Sequence, residues 1–100
     1  MGKSEQQPEI SDWRNRIDRL DVELVRMLNE RARCAIEIGK IKRTRNIPIY
    51  DPEREEEIIE MALSHNCGPL DAEGIRRLFE RIIDESRRIE RVAAERRLKD

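Results

Sequence analysis

Charged side chains occupy positions where a helical repeat calls for apolar ones, and these are the residues best suited to chemistry. Along residues 12–45, counting in sevens puts Arg31 in register with Leu24 and Ile38, so Arg31 is predicted to point into the core. Lys42 follows eleven residues later, turned by only about 20° around the helix, and therefore shares that face. Two cations on one interior face are what a small ligand with two negative charges requires.

A hydroxyl and a carboxyl join these cations from another predicted helix. Ser86 and Glu90 follow Ile83 at helical spacing, and Ala93 continues the same line. An unpaired buried charge is costly, so the structural alternative is that Arg31 and Glu90 pair with each other, or that the stripe shifts by one residue. For each residue alone this alternative stays open. Taken together, the polar positions favour a binding site.

Four further polar residues could serve either ligand binding or the structure alone. Arg14 precedes Arg31 by seventeen residues, roughly 25 Å along a helix, so it could reach the site only from a partner chain; otherwise it is a solvated arginine. Arg54 is a cation in the first turn of a predicted helix, where it opposes the macrodipole, and this suggests use in binding. Asp51 is explained by capping that helix. Glu55 stands in a glutamate-rich run, which is typical of a solvated face.

The first element that must position these residues is a long helix. Ser11 or Asp12 offers an N-cap, no proline occurs before Pro48, and Gly39 is tolerable at a cost of roughly 1 kcal/mol. The apolar stripe advances in steps of three and four through Trp13, Ile17, Leu20, Leu24, Met27, Cys34, Ile38 and Ile41. The pattern predicts a helix over residues 12–45, about 50 Å long.

Such a helix exceeds what one chain of this size can cover. A globular domain of 100 residues has a radius of gyration of only about 13 Å. We therefore expect a partner chain to cover the remainder, in a two-fold homodimer.

The other elements are a short helix and a second long one. After the linker 46–50, Asp51 and Pro52 open helix 2, which ends near residues 66–68. Asp71 caps helix 3, whose apolar face is formed by Ile75, Leu78, Phe79, Ile82, Ile83, Ile89 and Val92. The prediction is an all-α fold of long, short and long helices, with residues 1–10 as a flexible tail and residues 11–100 as one domain.

Composition excludes several classes of function. A net charge of −1 lacks the positive field expected of a nucleic-acid or membrane-surface protein. No apolar run approaches the roughly 20 residues that span a bilayer, and no signal-peptide pattern opens the chain. Cys34 and Cys67 lack metal-ligand spacing, and His65 is the only histidine, so no metal site is predicted. We expect a cytoplasmic protein with reduced thiols.

In their order and spacing, five short strings resemble the AroQ class of chorismate mutases, all-α enzymes whose two chains interlock to form shared active sites. The resemblance covers about residues 12–93. The strings are Arg14-Asn15-Arg16-Ile17-Asp18, Leu28-Asn29-Glu30-Arg31, Gly39-Lys40-Ile41-Lys42, Asp51-Pro52-Glu53-Arg54-Glu55 and Ile83-Asp84-Glu85-Ser86. Each string is weak alone, and the set is specific. The resemblance implies an intertwined helical homodimer and an isomerase that converts chorismate, a shikimate pathway product, to prephenate in phenylalanine and tyrosine biosynthesis.

The resemblance also implies which residues bind the substrate. Arg31, together with Arg14 of the partner subunit, would hold the two carboxylates of chorismate. Arg54 and Ser86 would assist them.

The remaining implied roles concern the ring and the breaking bond. Asp51 and Glu55 would bind the ring hydroxyl and neighbouring backbone, and Lys42 would face the ether oxygen. Many relatives carry glutamine at the position of Glu90, which here can donate a hydrogen bond only when protonated. We therefore take Lys42, Glu90 and Arg31 as the catalytic set.

The chemistry of this rearrangement fits a chain without a cofactor. It needs the substrate folded so that its ends meet, and donors where negative charge develops, rather than a nucleophile or a metal. Two alternatives remain open from the sequence. An isochorismate-pyruvate lyase of the same fold uses a similar cationic pocket, although Asp51, Arg54 and Glu55 favour a mutase. A non-catalytic helical dimerisation or regulatory module would be better served by an apolar residue at Arg31.

Overall fold

Three helices make up the part of the chain that the structure describes, residues 9–99. In the computed structural model, α1 spans Ile10–Arg45, α2 spans Pro52–His65 and α3 spans Ala72–Lys99, with no strand in residues 9–99. This confirms the predicted all-α fold and its order of long, short and long helices. Residues 1–8 of the predicted tail lie outside the described residues, and Ile10, its last residue, already begins α1.

The start of α1 differs from the prediction by two residues. Asp12 lies in the first turn, and its carboxylate Oδ2 accepts a hydrogen bond from the backbone N–H of Glu9 at 2.9 Å. A carboxylate three residues into a helix that binds back to the capping residue is one half of a capping box. Asp12 thus caps the helix from inside, and the predicted N-cap at Ser11 or Asp12 was wrong.

A left-handed asparagine ends α1. Asn46 has a φ of 56°, its N–H donates to the carbonyl of Arg43, and the N–H of Ile47 donates to the carbonyl of Lys42 at 2.8 Å. These two bonds form a Schellman motif, in which a residue with positive φ turns the chain back across the last helical turn. The linker that follows therefore leaves close to Lys42.

Aspartates cap the other two helices, as predicted. Asp51 Oδ1 accepts from the N–H of Arg54 at 3.1 Å, with Pro52 as the first residue of α2. Asp71 Oδ1 accepts from the N–H of Gly74 at 2.7 Å at the start of α3. Each carboxylate satisfies a backbone donor that the helix leaves unpaired.

The chain divides into an N-terminal unit that ends at Arg31 and a C-terminal unit that starts at Ala32. Among residues with a described side chain, the buried apolar ones all belong to the C-terminal unit: Ala35, Ile59, Ile83 and Ala93. On α1 the buried residues are the small ones, Ala35 and Gly39. The predicted stripe residues are instead exposed in this single chain: Trp13, Ile17, Leu20, Leu24, Met27, Cys34, Ile38 and Ile41.

Within residues 9–99, no helix is both long enough and apolar enough to cross a membrane.

Candidate functional site

Two helices of the C-terminal unit approach each other closely at Gly39. A Cβ placed on Gly39 of α1 would lie 2.5 Å from the carbonyl oxygen of Glu90 and 2.9 Å from its Cα. Real Cβ atoms are essentially never found this close to backbone, so only glycine lets α1 and α3 touch here. By sequence Gly39 is merely tolerable within a helix, whereas in the structure it sets the helix crossing.

Lys42 lies one turn beyond Gly39 and faces the same residue of α3. Its Nζ is 2.9 Å from Glu90 Oε1, and it donates a hydrogen bond to the backbone carbonyl of Ile49 at 3.1 Å. Both charged side chains are largely covered, with 15% of Lys42 and 14% of Glu90 exposed. The Schellman turn brings the linker back to Lys42, so its ammonium is held by Ile49 of the linker and by Glu90 of α3.

Glu90 retains hydrogen-bonding capacity. Its Oε1 is buried and makes no hydrogen bond with described protein groups, although Lys42 Nζ lies at ion-pair distance. At 2.9 Å the distance is short enough, so the angle of approach is what departs from a hydrogen bond. A buried carboxylate oxygen that lacks a well-directed donor is costly in a fold and common at a binding site.

A second ion pair joins α2 to α3. Arg87 donates from Nε and Nη2 to both carboxylate oxygens of Glu55, at distances of 2.8 to 3.1 Å. The guanidinium also lies 5.3 Å from the centre of the Tyr50 ring. The hydrogen-bonded carboxylate of Glu55 raises the pKa of Arg87, partly offset by burial. Glu55 is therefore held by a fixed partner, and is not the solvated glutamate that a glutamate-rich run suggests.

Sequence reasoning missed Arg87. A signal was present, because Arg87 follows the buried Ile83 by four residues and so lies on the inward face of α3. Ser86, which was predicted, is half-buried, and its hydroxyl donates to the carbonyl of Ile82 at 3.0 Å.

Two predicted site residues at the start of α2 bind groups of that same helix. Asp51 is exposed and spends one carboxylate oxygen on the helix cap. The Arg54 guanidinium is 3.2 Å from Glu57 Oε1, in a pair with 59% of each side chain exposed. Neither Asp51 nor Arg54 contacts Lys42 or Glu90 through these interactions. To act in the site, each side chain must leave its present partner and bind the ligand.

The remaining predicted residues belong to the N-terminal unit. Arg14 is exposed in the early turns of α1, and Arg31 is half-buried at the end of the unit. The structure thus brings Lys42 together with Glu90, and Glu55 together with Arg87.

A cleft of about 270 Å³ opens between the linker, α2 and α3. Its lining includes four carboxylates, from Glu55, Glu56, Glu80 and Asp84, against the single guanidinium of Arg76. Apart from Glu55, which is paired with Arg87, the lining carries three carboxylates and one guanidinium, so the interior of the cleft disfavours the carboxylates of a ligand. Among the described residues, no group of three histidine, cysteine, aspartate or glutamate side chains is placed to hold a metal ion.

Comparison with known proteins identifies a single family. Residues 13–91 match the family described as chorismate mutase type II. The chain is 52% identical over 58 residues to a bifunctional chorismate mutase/prephenate dehydratase of Aquifex aeolicus, a match that covers 58% of this chain and 16% of that protein. It is 42% identical over 78 residues to the protein of the same description from Neisseria gonorrhoeae, covering 78% and 21%. The chain therefore spans about a fifth or less of the length of these relatives.

Two solved structures match over nearly the whole of their own chains. A chorismate mutase structure from Thermus thermophilus, form II, superposes with a TM-score of 0.80 at 39% identity, covering 82% of this chain and 93% of that one. Form I of the same protein superposes with a TM-score of 0.74 at 40% identity, covering 77% and 96%.

Proposed function

The chain belongs to the chorismate mutase type II family, and on that premise we propose that it converts chorismate to prephenate. One observation carries the proposal: the largely covered ammonium of Lys42 faces a buried Glu90 oxygen that lacks a well-directed donor. A site of this kind offers positive charge and hydrogen-bonding capacity in a region screened from water, where both act strongly.

The rearrangement of chorismate needs few catalytic groups besides these. Within one molecule the ether C–O bond breaks and a new C–C bond forms, so no group is transferred to the protein. The rate depends on holding the substrate folded and on stabilising negative charge that develops on the ether oxygen. In this proposal Lys42 supplies the charge. Glu90, which forms an ion pair with Lys42 in the free chain, donates the second hydrogen bond once it has taken up a proton.

The binding roles extend the proposal to the residues that carry the resemblance. Arg31 and Arg14 of the partner subunit hold the two carboxylates of the substrate, since planar guanidinium groups bind carboxylates with two parallel bonds. Arg54 and Ser86 assist, once the ligand competes with their local partners. Asp51 and Glu55 bind the ring hydroxyl and the nearby backbone.

A homodimer with shared sites is part of this proposal. Apolar residues recur on α1 at helical spacing and remain exposed in the single chain, among them Leu20 at 60% and Trp13 at 52%. A second copy of the chain is the occupant that best explains this surface, because two-fold association covers the same stripe on both chains. It also supplies the partner subunit's Arg14.

We further propose a cytoplasmic location. Cys34 and Cys67 are both free thiols, which is typical of proteins from a reducing compartment.

Product analysis tests the activity directly. The protein is incubated with chorismate and, separately, with isochorismate, and the products are identified by chromatography and mass spectrometry. Prephenate from chorismate is expected. Pyruvate from isochorismate alone would make the chain a lyase of the same fold, and no product from either would leave a non-catalytic helical dimer.

Sedimentation tests the assembly. We expect a dimer at micromolar concentration and no folded monomer, because the exposed stripe of α1 is too large for a stable single chain. A compact monomer that unfolds cooperatively would contradict the shared-site proposal.

A further inference from the structure

The ion pair between Glu55 and Arg87 joins α2 to α3 at 2.8 Å, closer than the other arginine pair between these helices, Arg76 to Glu56 at 3.8 Å. Arg87 uses two nitrogens to grip both oxygens of Glu55, and the two residues lie 32 positions apart on different helices. Arg88, the next residue, holds both oxygens of Glu85 with the same two nitrogens, but Glu85 lies three positions earlier on the same helix and both side chains are 57% exposed. Two consecutive arginines thus serve different purposes.

Several elements fix the orientation of Arg87. Only 29% of its side chain and 24% of that of Glu55 are exposed. Tyr50 of the linker lies under the guanidinium at 5.3 Å, and Asp84 approaches Nη1 at 3.7 Å. A planar guanidinium held by a bidentate carboxylate on one edge and an aromatic ring on its face has little freedom to rotate. The carboxylate that it holds is fixed as well.

We propose that Arg87 is a positioning residue of the substrate site, which orients the carboxylate of Glu55 as a hydrogen-bond acceptor and neutralises its charge. The proposal rests on the proposed function, in which Glu55 binds the ring hydroxyl of chorismate. It adds a residue outside the strings that carry the family resemblance, since the last of those ends at Ser86.

The carboxylate has capacity for both partners. Its two oxygens offer about four lone-pair positions, and a bidentate guanidinium does not use all of them. A hydroxyl of the substrate can therefore bind while Arg87 remains in place. In this proposal Arg87 acts on the substrate through Glu55 and does not touch the reacting atoms.

Charge gives the pair a second consequence. The substrate carries two carboxylates, and an unpaired anion at Glu55 would repel them in a partly desolvated site. Arg87 removes that repulsion without removing the acceptor. The contact with the ring hydroxyl is made in the bound substrate and in the transition state alike, so its loss should raise KM more than it lowers kcat.

Steady-state kinetics of matched arginine variants test the proposal. For Arg87→Met we expect KM to rise roughly tenfold with kcat changed by less than about threefold, the scale of one hydrogen bond to a charged group. Arg88→Met removes the same side chain one residue later and should leave both constants within about twofold of wild type, as expected for an exposed pair.

A double variant separates positioning from simple support of the fold. Glu55→Gln removes the uncompensated charge but keeps a carbonyl acceptor, so adding it to Arg87→Met should lower KM below that of Arg87→Met alone. If Arg87 only clamps α2 to α3, the double variant is as impaired as the single one or worse. Thermal unfolding of each variant at equal protein concentration accompanies the kinetics.

The possible outcomes separate a failure of the proposed function from a failure of the proposed role of Arg87. An inactive wild-type chain overturns the proposed function and this inference together. An active wild type with Arg87→Met indistinguishable from Arg88→Met overturns the inference alone, as does a loss in kcat and thermal stability that Glu55→Gln does not relieve. If Arg87→Met fails to fold, Arg87→Lys against Arg88→Lys makes the same comparison, because lysine keeps the charge and loses the two-pronged grip.

Discussion

The two units of this chain use their charges differently. In the N-terminal unit the ion pairs of Arg26 join it to Glu23 and Glu30, three and four residues away on the same helix, with more than half of each side chain exposed. Among the described residues of the C-terminal unit, three pairs join different helices: Lys42 to Glu90, Arg87 to Glu55 and, at 3.8 Å, Arg76 to Glu56. Pairs of the first kind support a helix, whereas pairs of the second kind fix how helices are arranged.

The difference indicates where each part of the proposed site obtains its geometry. The C-terminal unit has its own buried residues and its own cross-helix pairs, so its proposed catalytic ammonium is positioned within one chain. The N-terminal unit carries Arg14 and Arg31 on a helix whose apolar residues are exposed. We therefore expect variants of the C-terminal unit to affect the chemistry directly, and those of the N-terminal unit to act through association.

Replacement of Lys42 should have the largest effect. We expect Lys42→Ala to lower kcat by roughly a hundredfold or more, because it removes the donor aimed at the developing negative charge. Lys40→Ala is the matched control, since Lys40 is two residues away and pairs with Glu37 at the surface. A Lys42→Ala protein with near-normal turnover would show that the C-terminal unit does not hold the catalytic cation.

Mixing of two inactive variants tests whether the N-terminal unit works across chains. Arg14→Ala and Arg31→Ala homodimers should each lose activity at both sites. Once chains exchange, about half of the dimers are mixed and each has one intact site, so about a quarter of the sites should recover. Activity that stays absent in mixtures shown to contain heterodimers would place Arg14 and Arg31 in the same site of one chain, or outside the site.

Replacement of Glu90 tests the other half of the central ion pair through pH. An ionised Glu90 opposes negative charge on the ether oxygen, so kcat/KM should fall by up to about tenfold per pH unit as the carboxyl loses its proton. Glu90→Gln keeps a donor at every pH and should remove this decline. Rate profiles of both proteins are compared from about pH 4 to 9. Parallel profiles would show that Glu90 does not contact the ether oxygen.

Sequence alone was sufficient for the helices, apart from the first residues of α1, because their signals are local. Asp51 and Asp71 marked helix starts, and the apolar steps marked their length. The pairing of Lys42 with Glu90 and the grip of Arg87 on Glu55 depend on how helices cross, which periodicity along one helix does not determine. The crossing depends in turn on Gly39, because a residue without a side chain lets the backbones of α1 and α3 come close together.

Gly39→Ala measures how strictly that crossing is required. The new methyl group would meet the backbone of Glu90 at 2.5 Å, so the helices must separate, and we expect a loss of about 1 to 3 kcal/mol in stability. The Lys42 to Glu90 distance should grow and kcat/KM should fall. Gly74→Ala is the control, because its Cβ would meet only the side-chain oxygen of Asp71 at 3.0 Å. Equal stability of the two variants in denaturant titrations would show that α1 and α3 do not touch at Gly39.

The smallest expected effect is that of Arg26→Gln, which removes both local ion pairs of Arg26 in the N-terminal unit. The pair distances are short, 3.3 Å to Glu23 and 2.7 Å to Glu30, but water competes for each group and salt screens them. We expect a loss below about 1 kcal/mol, which vanishes near 1 M salt. Arg87→Gln should destabilise more and keep most of its effect in salt, because its pair is partly covered. Melting temperatures must be compared at equal protein concentration, since association shifts them. If Arg26→Gln destabilises as much as Arg87→Gln and resists salt, Arg26 contacts a partner chain, and the N-terminal unit is held by polar as well as apolar contacts.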